Sequence, residues 1–280
     1  MTARKANAAG RTRRVGETTA SPRASSPARA ETSPAEGSPT DAAPSRGASA
    51  EGARTGSLAE WTLTAPVEDY LKAIYGIEAG GGAAATNDIA AKLAIAAASV
   101  SGMVRRLADQ GLVSYERYRG VRLTDLGRRA ALRTIRRHRV IETYLAQALG
   151  YPWDRVHEEA ERLEHAVSDE LVDRMATAVG EPVTDPHGHP IPTRDGVIDE
   201  TRHRTLSDLS RGQRSRVVRV SDEDSELLRY LAQIGIRPGV VVTLADRAPF
   251  DGPLTLQVGR GACQVGPALA SRVMVELLPD

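Results

Sequence analysis

"TNDIAAKLAIAAASVSGMVRRLADQGLVSYERYRGVRLT", residues 86–124, changes its periodicity partway along. Ile89, Leu93 and the alanine run after them have the spacing of a short helix. Ser99 is placed to cap a second helix, over Ser99–Gln110, with Val100, Met103, Val104 and Leu107 on one face. Gly111 ends that helix. From Leu112 to Thr124 apolar and polar residues alternate around Gly120, which is the pattern of a β-hairpin. Upstream, "APVEDYLKAIYGIE" (65–78) sets Val67, Leu71, Ile74 and Ile77 at helical spacing, with Pro66 suited to the first turn. Three helices followed by a hairpin predict a winged helix-turn-helix.

Charge along the chain supports that reading. The 280 residues carry a formal net charge of only +1, but the halves of the middle region oppose each other. Residues 99–140 hold eleven Arg against Asp109, Glu116 and Asp125; residues 141–200 hold fourteen Asp or Glu against four Arg. A basic block suits a polyanion and an acidic block suits cations. Ser99, Ser101 and Arg105 are expected to face DNA from the second helix, and Arg117, Arg119 and Arg122 in the wing to bind phosphate. Gly102 and Ala96–Ala98 offer few hydrogen bonds to bases, so thymine methyl contacts and DNA shape should carry part of any specificity.

The expected architecture is mainly α, with four parts. Residues 1–57 are rich in Ala, Arg, Pro and Ser and should be a disordered tail, because they lack the apolar surface to offset ordering entropy. Residues 58–127 form the winged helix-turn-helix. Residues 128–200 form a helical domain, opened by a helix that Thr124 caps. In it the stretch after "YPW" (151–153) should run as one helix to about Val179, with Leu163, Val167 and Leu171 toward the core. "GEPVTDPHGHPIPTRDG" (180–196) reads as a Pro/Gly loop. Residues 201–280 contain one short helix, "DSELLRYLAQIG" (224–235), among β-like runs, and are expected to form a small SH3-like β-barrel. A single cysteine, Cys263, excludes an intrachain disulfide framework and a cysteine-based zinc site. No run approaches the roughly 18 apolar residues of a membrane span. The expected location is cytoplasmic, with no membrane partner and no small-molecule substrate.

"VHEEAERLEHAVSDEL" (156–171) interleaves histidines with carboxylates. At about 100° per residue, His157, Glu161, Glu164 and His165 share a face. Upstream, His138 and Glu142 are four apart on one helix face. A solvated acidic face is one reading. A catalytic reading is weaker: "HEEAE" has Glu161 where a zinc-protease motif has its second histidine, and no nucleophile elbow or phosphate loop accompanies it. A metal site is the third.

The whole arrangement resembles the diphtheria toxin repressor family of metal-dependent regulators, from about Val67 to the C-terminus. The residues that carry the resemblance are "EDYLKAIY", the helix-turn-helix, "YRGVRLT", "RRHRVIE", "WDRVHEEAERLEH" and "PHGHPIP". It implies a metal-activated homodimer that binds double-stranded operator DNA, with a C-terminal domain of the SH3-like (FeoA-like) type. By position it implies one metal site of Asp69, Glu161, Glu164 and His165. The iron-sensing branch has Met and Cys where this chain has Asp69 and Glu161, and the manganese-sensing branch has Asp and Glu. Manganese(II) is therefore the expected cofactor, with iron(II) as the alternative, and repression of metal-uptake genes the expected output. Short manganese regulators use a carboxylate where this chain has Lys72, which puts their paired-metal arrangement in doubt. An ancillary site would use His138, Glu142 and His157, with Asp222 as the nearest match for a ligand from the third domain. His187 and His189 are either further ligands or incidental histidines of a surface loop. Without metal, Asp69, Glu161 and Glu164 should repel one another and hold the DNA-binding domain off the acidic helix. A metal-binding enzyme or carrier with an appended SH3-like module is the alternative from another class.

Overall fold

The computed structural model describes residues 63–116 and 119–279. The expected tail and the wing residue Arg117 lie outside them. Helices α1 (Ala65–Ala79), α2 (Thr86–Lys92) and α3 (Ala97–Asp109) precede a hairpin of β1 (Val113–Glu116) and β2 (Gly120–Leu123). The hairpin is antiparallel, with Val113 opposite Leu123 and Glu116 opposite Gly120. Pro66 sits in the first turn of α1 as expected. Two expectations shift here. The alanine run opens α3 rather than extending α2, because Ala94 takes a left-handed turn (φ +54°) between them. Ser99 therefore lies inside α3, whose N-cap is Ala96 with no side-chain hydrogen bond. Val67, Leu71, Ile74, Ile89, Val100, Val104, Leu107 and Val121 make one buried core.

Helix α4 (Asp125–Leu149) packs against α1, α5 (Val156–Leu163) and α6 (Asp169–Ala178). The Thr124 hydroxyl caps it by accepting from the Gly127 N–H at 3.1 Å, and Gly150 closes it in the left-handed region (φ +69°). Gly127 cannot be replaced without displacement, since an added Cβ would lie 1.9 Å from the Leu112 carbonyl oxygen. The first turns of α4 send Ala130, Ala131, Leu132 and Ile135 into the core of the winged domain. Later turns send Val140, Ile141 and Leu145 toward α5 and α6. One rigid helix thus joins the DNA-binding elements to the acidic segment.

The acidic segment is two helices, not one. α5 ends at Leu163, and Ser168 starts α6 by accepting from the Leu171 N–H at 3.2 Å. Ser168 followed by Asp169 and Glu170 is an N-cap with acidic residues in the first turn, which favours a new start over continuation. Leu171 is also not in the core. It is 43% exposed, while its neighbour Val172 is buried against Val140, Ala176 and Ile191.

The third part is a six-stranded antiparallel sheet in the order β3 (Arg204–Thr205), β8 (Val273–Leu277), β4 (Arg214–Val220), β5 (Val241–Arg247), β6 (Leu254–Val258), β7 (Gly261–Val265). Among the described residues no pairing joins β7 to β3, so the ladder does not close into a full barrel. Helix α7 (Ser225–Gln233), which Asp224 caps, covers the core with Leu228 and Leu231, and a short α8 (Pro267–Ala270) precedes β8. Trp153, from the loop after α4, enters this core and lies under the Arg237 guanidinium at 4.4 Å. That contact fixes the sheet beside the start of α5. No helix among the described residues is long and apolar enough to cross a membrane.

Candidate metal centre

Asp69, Glu164 and His165 come from two elements. Asp69 is on α1, one residue before the buried Tyr70 and two before the buried Leu71, so packing of that face fixes its direction. Glu164 and His165 leave the last turn of α5, where the break before Ser168 turns them toward α1. His165 Nε2 is 2.9 Å from Asp69 Oδ1 and 3.5 Å from Glu164 Oε1. The other ring nitrogen, Nδ1, donates to Glu68 Oε2 at 2.7 Å, and Glu68 is itself held by the Arg137 guanidinium at 3.0 Å. A histidine that donates one N–H to a carboxylate directs the other nitrogen at a cation. Asp69, Glu164 and His165 form one group of potential ligands, and the His165–Asp69 and His165–Glu164 separations fall within the roughly 4.2 Å that two ligands at about 2.1 Å from one ion can span.

Glu161 does not close this group. Its Oε1 accepts from the Lys72 ammonium at 2.5 Å and lies 3.6 Å from His138 Nδ1 and 3.8 Å from His157 Nε2. It stands between the first cluster and a second, built on α4 and the start of α5. There His138 Nε2 is 3.0 Å from Glu142 Oε1 and 3.1 Å from His157 Nδ1, and Glu142 is fully buried. Asp222, from the loop after β4, comes within 3.9 Å of His157 Nδ1 and 3.6 Å of His189 Nδ1.

The "DPHGHP" histidines do not lie on an open loop. His187 is fully buried and His189 partly so. Asp185 Oδ1 accepts from the backbone N–H of both, at 2.8 and 2.9 Å, which folds the loop inward. His187 Nε2 donates to the Trp153 carbonyl oxygen at 2.7 Å, so Nδ1 keeps a free lone pair and points toward Glu142 at 3.9 Å. Glu142 Oε2, Asp185 Oδ2, His187 Nδ1 and His189 Nδ1 are all buried without a hydrogen-bond partner among the described residues. Leaving one such atom bare costs about 1–3 kcal/mol, and the three from Asp185, His187 and His189, which converge on one place, fit a cation. Asp185, His187, His189 and Asp222 form one ligand group, and His138, Glu142 and His157 the adjacent one.

Sequence reasoning missed Asp185 and the supporting role of Glu68. Asp185 stands two residues before His187, a spacing that could have marked it as the residue that folds the loop. Gly188 makes the fold possible. It has φ +89°, and a Cβ there would lie 2.0 Å from the Val218 carbonyl oxygen. Gly188→Ala is expected to lower stability by roughly 3 kcal/mol through strain and overpacking and to lower metal content with it. Thermal unfolding with and without a chelator checks this; an unchanged midpoint would contradict it.

Electrostatics here correct one expectation. The carboxylates are not a bare cluster of like charges. Burial alone would depress His138, but Glu142 and Glu164 reverse that and push its pKa up to about 9. Burial would likewise raise Glu142 and Glu164, yet His138 and, for Glu164, Lys72 hold both below the usual carboxylate range. Burial of Lys72 is outweighed by Glu164 and Glu161, which raise it. Asp69 moves the other way: burial raises it more than His165 lowers it. Cations of the protein itself thus offset the repulsion, and α1 rests against α5 through Lys72 and His165. A divalent ion must displace protons from these imidazoles.

In the winged domain Ser99, Ser101, Gly102 and Arg105 are exposed along α3, and Arg106 beside them. Arg119 and Arg122 are exposed in the wing, with Arg119 also 3.0 Å from Glu116. These residues lie on a surface open to a partner.

Three family models match the chain in series. They are the iron dependent repressor N-terminal DNA-binding domain over residues 62–121, the iron dependent repressor metal-binding and dimerisation domain over 124–193, and the FeoA domain over 204–277. The diphtheria toxin repressor of Corynebacterium jeikeium is 31% identical over 232 residues, covering 75% of this chain and 95% of that protein. The iron-dependent repressor IdeR of Mycobacterium tuberculosis is 32% identical over 221 residues, covering 75% and 96%. Among solved structures, a manganese-dependent transcriptional repressor in complex with manganese is 39% identical, with a TM-score of 0.70, covering 76% of this chain and all of that one.

Proposed function

Because this chain belongs to the diphtheria toxin repressor family, and so is a metal-dependent DNA-binding transcriptional repressor rather than an enzyme, we propose that its activating ion is manganese(II). The observation that carries this is the donor set. Asp69, Glu164 and His165 converge, Glu161 stands beside them, and no sulfur is among them. Oxygen and imidazole ligands suit a hard or borderline ion, and thioether or thiolate would draw softer ones. Intrinsic affinity still favours copper or zinc, so selectivity rests on geometry and on which ion the cell supplies.

When bound, the ion supplies positive charge shared between α1 and the end of α5. Asp69 contributes from the DNA-binding domain, Glu164 and His165 from the acidic segment, and Glu68 with Arg137 keeps the His165 ring in place. This holds the winged domain, α3 included, against α5 and, in a homodimer, fixes the spacing of two recognition helices on operator DNA. Leu149, Tyr151 and Leu171 are large apolar side chains exposed on this domain and supply surface for such a dimer. Ser99, Ser101 and Arg105 read the major groove, and Arg117, Arg119 and Arg122 bind phosphate. The second position, with His138, Glu142, His157 and Asp222, extends to Asp185, His187 and His189 and ties the sheet domain to α4.

An iron-responsive regulator is the second reading, favoured by the curated relatives whose names are iron repressors. Titrating DNA binding at the chain's own upstream region with manganese, iron, cobalt and zinc separates the two. Manganese should raise affinity by about 5–150-fold, the usual range of such coupling. Combining Asp69→Met with Glu161→Cys should move the ranking toward iron or cobalt. An unchanged ranking would place selectivity elsewhere.

A further inference from the structure

The side chain that most clearly interrupts the ligand pattern is Lys72. It lies on α1 one turn after Asp69, and its ammonium projects into the group formed by His138, Glu161 and Glu164. Those three residues by themselves have the ligand types and the mutual spacing of a metal site. Nζ lies 2.5 Å from Glu161 Oε1, 2.9 Å from each Glu164 oxygen and 3.3 Å from His138 Nδ1. Three carboxylate oxygens from two residues around one nitrogen, with the His138 ring beside it, is the arrangement of a bound cation, with the difference that this cation is covalently tethered.

We propose that Lys72 is a built-in cation that fills the His138–Glu161–Glu164 site, so that only one exchangeable ion binds between α1 and α5, next to it at Asp69–Glu164–His165. This rests on the metal reading of the Asp69 cluster. Two consequences follow from the shared ligands. Glu164 serves both positions, through Oε1 toward His165 at 3.5 Å and through both oxygens toward Lys72. A second divalent ion beside the first would leave a net positive site; an ammonium carries half that charge and needs no exchange with the cell. Lys72 also fixes Glu161 away from Asp69, so the residue sets which carboxylates are free for the exchangeable ion. Lys72 is therefore a determinant of stoichiometry, and its role differs from that of the ligands.

The test is manganese counting on the full chain by equilibrium dialysis and elemental analysis, with electron paramagnetic resonance of the loaded protein. Lys72→Glu supplies a carboxylate in place of the ammonium. It should bind one more manganese per chain than the wild type and show the spectrum of a spin-coupled pair. Lys72→Met, which leaves the three ligands bare without adding charge, should also gain that ion, with weaker affinity. It serves as the second variant if Lys72→Glu does not fold. Lys72→Arg should keep the wild-type count and uncoupled spectrum. A coupled pair already present in the wild type would overturn the proposal, and so would a wild-type count in whichever of the Lys72→Glu and Lys72→Met proteins fold. Asp69→Ala, run alongside, tests the underlying reading separately: it should lose one ion relative to wild type whatever the Lys72 variants do.

Discussion

Glu164→Ala is expected to cost this protein stability and metal response together. The Glu164 side chain is fully buried and binds Lys72 through both oxygens. It also meets His138 Nδ1 at 2.5 Å and faces His165 at 3.5 Å. Removing one partner of a buried ion pair leaves the other charge uncompensated, which typically costs about 3–5 kcal/mol. Lys72 retains Glu161, and its own side chain is 22% exposed, so a loss of about 3 kcal/mol is the expectation here. Glu164→Ala removes a proposed ligand as well, so metal-enhanced DNA binding should vanish together with stability. Urea unfolding in the presence of a chelator isolates the first effect. A midpoint like that of the wild type would mean that the Lys72–Glu164–His138 contacts contribute little to the fold.

Asp69→Ala should behave in the opposite way. Asp69 is 40% exposed in its side chain and among the described residues pairs with His165, and an ion pair of that exposure contributes at most about 1 kcal/mol. The fold and the helical core do not depend on it. What depends on it is the ligand that α1 is proposed to add to Glu164 and His165. The mutant should remain folded and should still bind DNA non-specifically through Arg105, Arg119 and Arg122, with a steep salt dependence. It should lose the manganese enhancement. The pairing of these two variants distinguishes a metal that merely stabilises the fold from one that couples α1 to α5.

Much of this was legible in the sequence because it depended on local pattern. The hairpin, the Thr124 cap and the periodicity of α1 and α3 are set by neighbours within a few residues. So is the convergence of His138 with Glu142, which helical spacing brings to one face. Errors arose where two local signals competed. Helical continuation after Leu163 lost to the Ser168 cap, and Ser99 lost its expected cap role because the alanines before it already favoured helix. The long-range contacts were a different matter. Nothing near Lys72 in sequence reveals that its ammonium reaches Glu161 and Glu164, 89 and 92 residues away. Nor does the "DPHGHP" loop disclose that the Trp153 carbonyl orients His187 or that Asp222 meets His189. Those contacts depend on how the sheet domain packs against α4.

The central claim is that metal couples the DNA-binding helices to the acidic segment, and one comparison tests it most directly. Affinity for operator DNA is measured with and without manganese for the wild type and for Asp69→Ala, beside thermal unfolding of each protein in chelator. The account predicts a manganese enhancement of about 5–150-fold in the wild type, none in Asp69→Ala, and closely similar unfolding midpoints for the two. Undiminished enhancement in a folded Asp69→Ala protein would contradict it.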